Sequence, residues 1–297
     1  MQPISLVINT RNEESNLARC LESVSGYVKQ IIVMDMESTD KTVQIAKKFD
    51  AEIYNHPLVG YVEPARNKAL QLATQPWTLL LDADESISPQ LQEYLASVIS
   101  TNSADYVRLT RLNVIFGKPM KHGGWWPDYN VRFFKTGQVI WQDQIHSQPI
   151  TNGESIDAPE DPELAIIHHH YQTISQFITR LDRYTTVQLA DLSNHHFHWH
   201  DLINKPVNEF YSRYFAQNGW QDGLHGLSLS LLQAFSEFIL YLKLWESSKF
   251  PDQQINLSDF DQVLAPQSKG FHSWMANLYG QSQNNLMKVK HAIKKRL

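Results

Sequence analysis

The 297 residues carry a formal charge of −5 with 42% hydrophobic residues, 12 Gly and 13 Pro; this balance excludes a disordered or fibrous chain and fits one large domain or a core domain with an extension. The acidic excess argues against a general nucleic-acid binder, which needs a basic face. A single cysteine, Cys20, rules out an internal disulfide framework and fits a reducing compartment.

The N-terminus runs straight into a strand pattern, with no basic segment, apolar core and small-residue cleavage site, so a cytoplasmic protein is expected. No uncharged apolar run approaches the roughly 18 to 20 residues that span a bilayer. Ile4 to Asn9 reads as a buried strand, and Thr10-Arg11-Asn12-Glu13 fits the capping box of a helix carrying Leu17, Cys20, Leu21 and Val24. A second strand, Gln30 to Met34, ends in Asp35, and Ser38-Thr39-Asp40 opens a helix through Ile45 and Ala46. Ala51 to Tyr54 is a short third strand, followed by a loop with Gly60 and a helix over 64–74 that begins Pro64-Ala65-Arg66-Asn67. The fourth strand, Thr78 to Leu81, ends in Asp82-Ala83-Asp84-Glu85, and Ser88-Pro89 caps a helix to Ser100.

Strands alternating with helices predict a mainly parallel sheet of right-handed βαβ units, flanked by helices. Ligands of such sheets bind outside the carboxyl ends of the strands, where Thr10, Asp35 and Asp82 all fall. Burying Asp82 and Asp84 without partners would cost several kcal/mol. Hard oxygen ligands there suit Mg²⁺ or Mn²⁺, and a polar strand end before a helix cap is the plain alternative. Neither a Gly-x-Gly-x-x-Gly turn nor a P-loop is present, so a nucleotide diphosphate needs a metal and cations such as Arg66 or Arg132.

From Ala104 the pattern changes to extended segments at 105–116 and 130–135, with a hairpin turn at Thr136-Gly137 into Val139 to Trp141. Between them, His122-Gly123-Gly124-Trp125-Trp126-Pro127-Asp128 reads as a loop that either stacks on a sugar face or plugs its own apolar base. Residues 152–163 are acidic and turn-rich, and the chain beyond them is mainly helical. Leu227 to Trp245 is either a core helix or an interfacial one. The basic tail, Lys288 to Arg296, is either a solvated helix end or a patch attracted to anionic lipid. His168-His169-His170 and His195 to His200 raise a zinc site, because His196, His198 and His200 would share a face on a strand.

The ordered set Asn9 to Glu13, Asp35 to Thr42, Ala65-Arg66-Asn67 and Asp82 to Glu85 resembles glycosyltransferase family 2. The later Gly124 to Phe134, Val139 to His146, and His168 to Tyr171 resemble its lipopolysaccharide core β-1,4-glucosyltransferase branch, as do Arg183 to Thr185, Lys205-Pro206, Gly219 to Gly226 and Leu242 to Glu246. The resemblance implies an α/β GT-A fold over 1–165, with a nucleotide-sugar half to about 103 and an acceptor half over 104–165, followed by a helical region over 166–297. It implies an inverting, metal-dependent transferase that moves a hexose, glucose foremost, from a UDP-sugar to a lipid-linked or envelope saccharide. The expected setting is the inner face of the cytoplasmic membrane, with peripheral contact to anionic lipid. Carried over by motif, Thr10, Glu13, Asp35, Arg66, Asp82 and Asp84 hold the nucleotide, and Asp84 and Asp82 hold Mg²⁺ or Mn²⁺. Trp125, Trp126 and Arg132 meet the acceptor, and of the base candidates Asp128, His146 and Asp143, Asp128 is narrowly preferred. Two departures stand out: Ser147 replaces the branch's Glu after His146, and Glu37 replaces its Gly. The processive signature Gln-x-x-Arg-Trp is absent, which favours single addition. A nucleotidyltransferase and an idle saccharide-binding or scaffold member are the other readings.

Overall fold

The structure, a computed structural model, describes residues 1–58, 63–141 and 149–294. The chain forms two compact units: Met1–Lys121 with Trp125–Gln172, and His122–Gly124 with the chain from Thr173 onward.

In the first unit the chain runs β1 (Gln2–Thr10), α1 (Leu17–Glu22), β2 (Val28–Asp35), α2 (Thr42–Lys47), β3 (Glu52–Asn55), α3 (Glu63–Leu70), β4 (Trp77–Asp82), β5 (Glu85–Ser86) and α4 (Pro89–Thr101). It continues through β6 (Tyr106–Ile115), β7 (Lys118–Pro119), β8 (Tyr129–Lys135), β9 (Val139–Trp141), β10 (Pro149–Thr151), β11 (Ser155–Asp157) and β12 (Ile166–His169). The main sheet has the order β3-β2-β1-β4-β8-β6-β12-β5, with β7 and β11 paired to β6. Its first four strands are parallel, as expected. β8 runs antiparallel between β4 and β6, so the sheet is mixed.

Alternation along the strands builds a core on each face. Ile4, Leu6 and Ile8 of β1 pack with Leu79 and Leu81 of β4 against Leu17 and Leu21 of α1 and Leu91 and Leu95 of α4. Val7, Ile32 and Leu80 point the other way, onto Ala65 and Ala69 of α3. Coverage of both faces explains why the β1 and β4 sequences are near-continuous apolar runs. The expected cap of α4 is present: Ser88 Oγ accepts from the Leu91 amide at 3.0 Å, with Pro89 at the first helical position.

Three expectations change. The predicted capping box at Thr10–Glu13 does not start a helix; α1 begins at Leu17, after Asn16. Asn12 adopts φ 55°, and residues 12–14 donate their amides to Ser38 Oγ, Thr42 Oγ1 and the Asp40 carboxylate. Those donors are satisfied across the sheet edge, leaving a cap nothing to supply. The turn at Gly137 (φ 89°) forms, but β9 pairs with β10 and not with β8. The boundary expected at 165 moves, because β12 joins β6 in the sheet and carries the first unit to Gln172.

The second unit holds α5 (Ile174–Gln188), α6 (Asp201–Tyr211), α7 (Leu224–Ser247) and α8 (Leu257–Lys294). α7 packs on α5 and α6, and α6 on α8. By length and composition alone α7 is long and apolar enough to cross a membrane; within the unit it buries Leu229, Ala234, Leu240, Tyr241 and Leu244 and exposes Leu231 and Phe235. Residues 195–198 are not a strand, so the shared histidine face that a zinc site would use is not formed. His195 instead faces Asp201 at 3.2 Å, and the His198 and His200 rings lie on Trp199.

Candidate active site at the carboxyl edge of the sheet

Register places the first group of site residues. Thr10 of β1 is opposite Asp35 of β2, and Asn9 is opposite Asp82 of β4. Asp35 Oδ2 accepts from the Ser38 amide at 3.0 Å. Its Oδ1, the Thr10 hydroxyl and both amide atoms of Asn9 are buried with no hydrogen-bond partner. Each such atom costs about 1–3 kcal/mol when left unmade. Donors and acceptors orphaned side by side at strand ends suit a ligand that supplies both, such as a nucleoside. Glu13, expected beside them, accepts from Asn16 Nδ2 at 2.8 Å. Glu37 takes a left-handed φ of 60°, which accounts for the glycine usual there, since glycine alone adopts that region without steric penalty.

The Asp82–Glu85 turn forms the second group. Asp82 Oδ2 accepts from Arg132 Nη2 at 2.6 Å, and Oδ1 lies 3.5 Å from Arg66 Nη2. Burial would raise the Asp82 carboxyl, but Arg132 and Arg66 outweigh it and hold the group well below the usual carboxylate range. Asp82 is therefore an anchored anion that orients Arg66, and both of its oxygens face guanidinium groups. Arg66 also lies over the Trp141 ring at 5.0 Å. Asn67 pins that tryptophan's backbone twice, accepting from its amide at 2.9 Å and donating to its carbonyl at 2.7 Å. Arg132, expected at the acceptor, is only 7% exposed and is held by Asp82 and Glu85. Beneath the turn, burial with Glu85 nearby pushes the Cys20 thiol well up, which keeps it inert.

Asp84 has a different environment. His168 of β12 sits opposite Glu85 of β5 and Asn113 of β6 in register, which brings its Nε2 to 3.5 Å from Asp84 Oδ2. Asn113 Nδ2 donates to the Trp125 carbonyl at 2.9 Å, so its Oδ1 faces His168 Nδ1 at 2.7 Å and accepts from it. In the neutral ring Nε2 is then a lone pair aimed at a carboxylate oxygen. Two acceptors facing each other suit a shared cation, and a ring fixed through its other nitrogen is the usual arrangement of a metal-binding histidine. Among the described residues no three His, Cys, Asp or Glu side chains converge on one point. One carboxylate and one imidazole fit Mg²⁺ or Mn²⁺, ions that complete their shell with water and substrate phosphates.

On the side expected for the acceptor, Asp128 Oδ2 accepts from Arg111 Nε at 2.8 Å and Nη2 at 2.7 Å, and Oδ1 accepts from Asn130 Nδ2 at 3.0 Å. Both oxygens of Asp128, the residue preferred as base, are thus engaged by Arg111 and Asn130. His146, Asp143 and Ser147 lie outside the described residues. Trp125 and Trp126 are half-buried, and Trp125 sets its ring against His170, which stacks on His168 at 4.6 Å.

Glu85, Arg111, Asn113 and the surroundings of His168 are not legible in the sequence. Each acts through a strand distant in the chain, so only the register shows them together. The one available signal was the strand-like spacing of His168 and His170.

A family model described as Glycosyl transferase family 2 matches residues 5–178. An uncharacterized glycosyltransferase of Rickettsia conorii is 28% identical over 278 residues, covering 88% of this chain and 96% of the relative. The lipopolysaccharide core biosynthesis glycosyltransferase LpsC of Rhizobium meliloti is 25% identical over 260 residues, covering 82% and 92%. Among solved structures, S. aureus TarS 1-349 in complex with UDP-GlcNAc gives a TM-score of 0.43 at 16% identity, covering 80% and 81%. The mixed sheet flanked by helices, with helices following it, is the GT-A arrangement expected of such a transferase. With more than half its length matched, the chain belongs to glycosyl transferase family 2.

Proposed function

We propose that this glycosyltransferase moves a hexose, glucose foremost, from a UDP-sugar to a lipid-linked or envelope saccharide, with inversion and with a divalent metal. The observation that carries the reading is the Asp84–His168 pair at 3.5 Å, at the same sheet edge as the orphaned atoms of Asn9, Thr10 and Asp35. In this reading Thr10, Glu13 and Asp35 hold the nucleoside, and Arg66, oriented by Asp82 and Trp141, faces the diphosphate. Asp84 and His168 hold Mg²⁺ or Mn²⁺. When bound, that ion supplies Lewis-acid neutralisation of the charge on the leaving diphosphate. The acceptor hydroxyl attacks the anomeric carbon as UDP leaves. Trp125 and Trp126 pack on the acceptor sugar, and His146 takes the proton, since Asp128 is held by Arg111. The name of the LpsC relative supports an envelope saccharide as acceptor. Exposed Leu231 and Phe235 on α7, Leu264 and Phe271 on α8, and the basic tail support peripheral attachment to the inner face of the cytoplasmic membrane.

A thermal-shift panel of nucleotide sugars, with and without Mn²⁺, tests this reading. One UDP-hexose is expected to raise the midpoint by about 5–10 °C at a hundredfold excess over Kd, and only with metal. Stabilisation by a nucleoside triphosphate, with pyrophosphate release on turnover, would favour a nucleotidyltransferase. Sugar binding with no response to UDP would favour an idle member.

A further inference from the structure

We propose that Glu85 is a positioning residue that joins the donor-side turn and the Asp128 loop into one coupled electrostatic unit. Arg66, Asp82, Arg132, Glu85, Arg111 and Asp128 form an unbroken row of alternating charge. Its links are 3.5 Å from Arg66 to Asp82, 2.6 Å from Asp82 to Arg132 and 3.0 Å from Arg132 to Glu85. They continue at 3.5 Å from Glu85 to Arg111 and 2.7 Å from Arg111 to Asp128. The six groups come from α3, β4, β8, β5, β6 and the loop before β8, so the row crosses the sheet from the nucleotide edge to the loop that follows Trp126.

Exposure along the row shows how it works. The Asp82 and Asp128 side chains are 32% and 31% exposed, whereas Glu85 is 0% and Arg132 7% exposed. Ligands therefore reach the row at Asp82 and Asp128, and the groups between them interact where water screens least. Glu85 is the pivot. Its Oε1 is shared by Arg132 and Arg111, and its Oε2 accepts from the Asp82 amide at 2.8 Å, fixing the turn that carries Asp82 and Asp84. A buried ionic centre is weak evidence for stability, since apolar residues of the same volume often serve as well. Its arrangement suits the transmission of a charge change: loss of Asp128 sends Arg111 wholly onto Glu85, and Arg132 then loses its share of that carboxylate. The assignment of the Asp82 side to a donor rests on the proposed function.

The test is a double-mutant cycle in the full-length protein with Asp128→Asn, Glu85→Gln and the pair, read by calorimetric titration of UDP in Mn²⁺. Glu85→Gln is expected to weaken UDP about tenfold and Asp128→Asn about three- to tenfold, although Asp128 is four links from Asp82. The double variant should match Glu85→Gln alone within about twofold, because the pivot is already lost. An unchanged UDP affinity in Asp128→Asn, or two independent multiplying effects, would overturn the proposal. The same cycle by denaturant unfolding without ligand should be non-additive, and additive midpoints count against coupling. If the parent binds no UDP, the donor reading fails and the unfolding cycle alone decides the network. Should Glu85→Gln not fold, Arg111→Lys replaces it, since one amine cannot hold Glu85 and grip Asp128 through two nitrogens together.

Discussion

Replacing Asp84 with alanine is expected to lower turnover about a thousandfold while leaving the chain folded. Metal stabilisation of a leaving diphosphate is worth several kcal/mol, and about 4 kcal/mol corresponds to that factor. Asp84 is the carboxylate that faces His168, and the Asp82 oxygens are already engaged by Arg132 and Arg66. His168→Ala should be milder, about 10- to 100-fold in Mn²⁺ affinity, because one ligand and water remain to hold the ion. The check is UDP release from the donor, with circular dichroism to confirm folding. Retention of more than about a tenth of parental turnover by Asp84→Ala would show that this pair does not carry the metal-dependent step, given that each tenfold is only 1.36 kcal/mol.

Arg132→Met should damage stability rather than chemistry alone. The guanidinium sits between Asp82 and Glu85, at 2.6 and 3.0 Å. Burial works against its charge, but those two carboxylates raise its pKa above the usual arginine value. Without it, two carboxylates of the same turn face each other in a site from which Glu85 is wholly excluded from water. Breaking a buried pair by removing one partner costs about 3–5 kcal/mol. Denaturant unfolding should show a loss of that size, and Arg132→Met with Glu85→Gln should recover part of it by removing one stranded charge. A single variant within about 1 kcal/mol of the parent would mean that Asp82 and Glu85 find other partners, since surface substitutions alone stay within about 0.5 kcal/mol.

The sheet was legible because β1 and β4 are buried on both faces and therefore read as unbroken apolar runs. The clustering of Thr10, Asp35 and Asp82 at one edge followed from where those runs stop. The capping box misled because its hydrogen-bond donors are used by Ser38, Asp40 and Thr42, residues more than twenty positions away. His168 was visible as a histidine but pointed toward zinc, since its link to Asp84 depends on β12 lying beside β5 and β6. Arg132 illustrates the same limit. Nothing in its own segment tells whether an arginine on a strand faces an acceptor or neutralises carboxylates from another strand.

In the proposed function Asp84 and His168 hold the ion that joins a UDP-sugar to this site. Calorimetric titration of UDP into the full-length protein, first in Mn²⁺ and then after chelation, measures whether they do. Saturable one-site binding is expected in Mn²⁺, weakening at least about 100-fold on chelation, a difference of about 2.7 kcal/mol, with no metal-dependent gain in Asp84→Ala. Equal affinity with and without metal in the parent would contradict it.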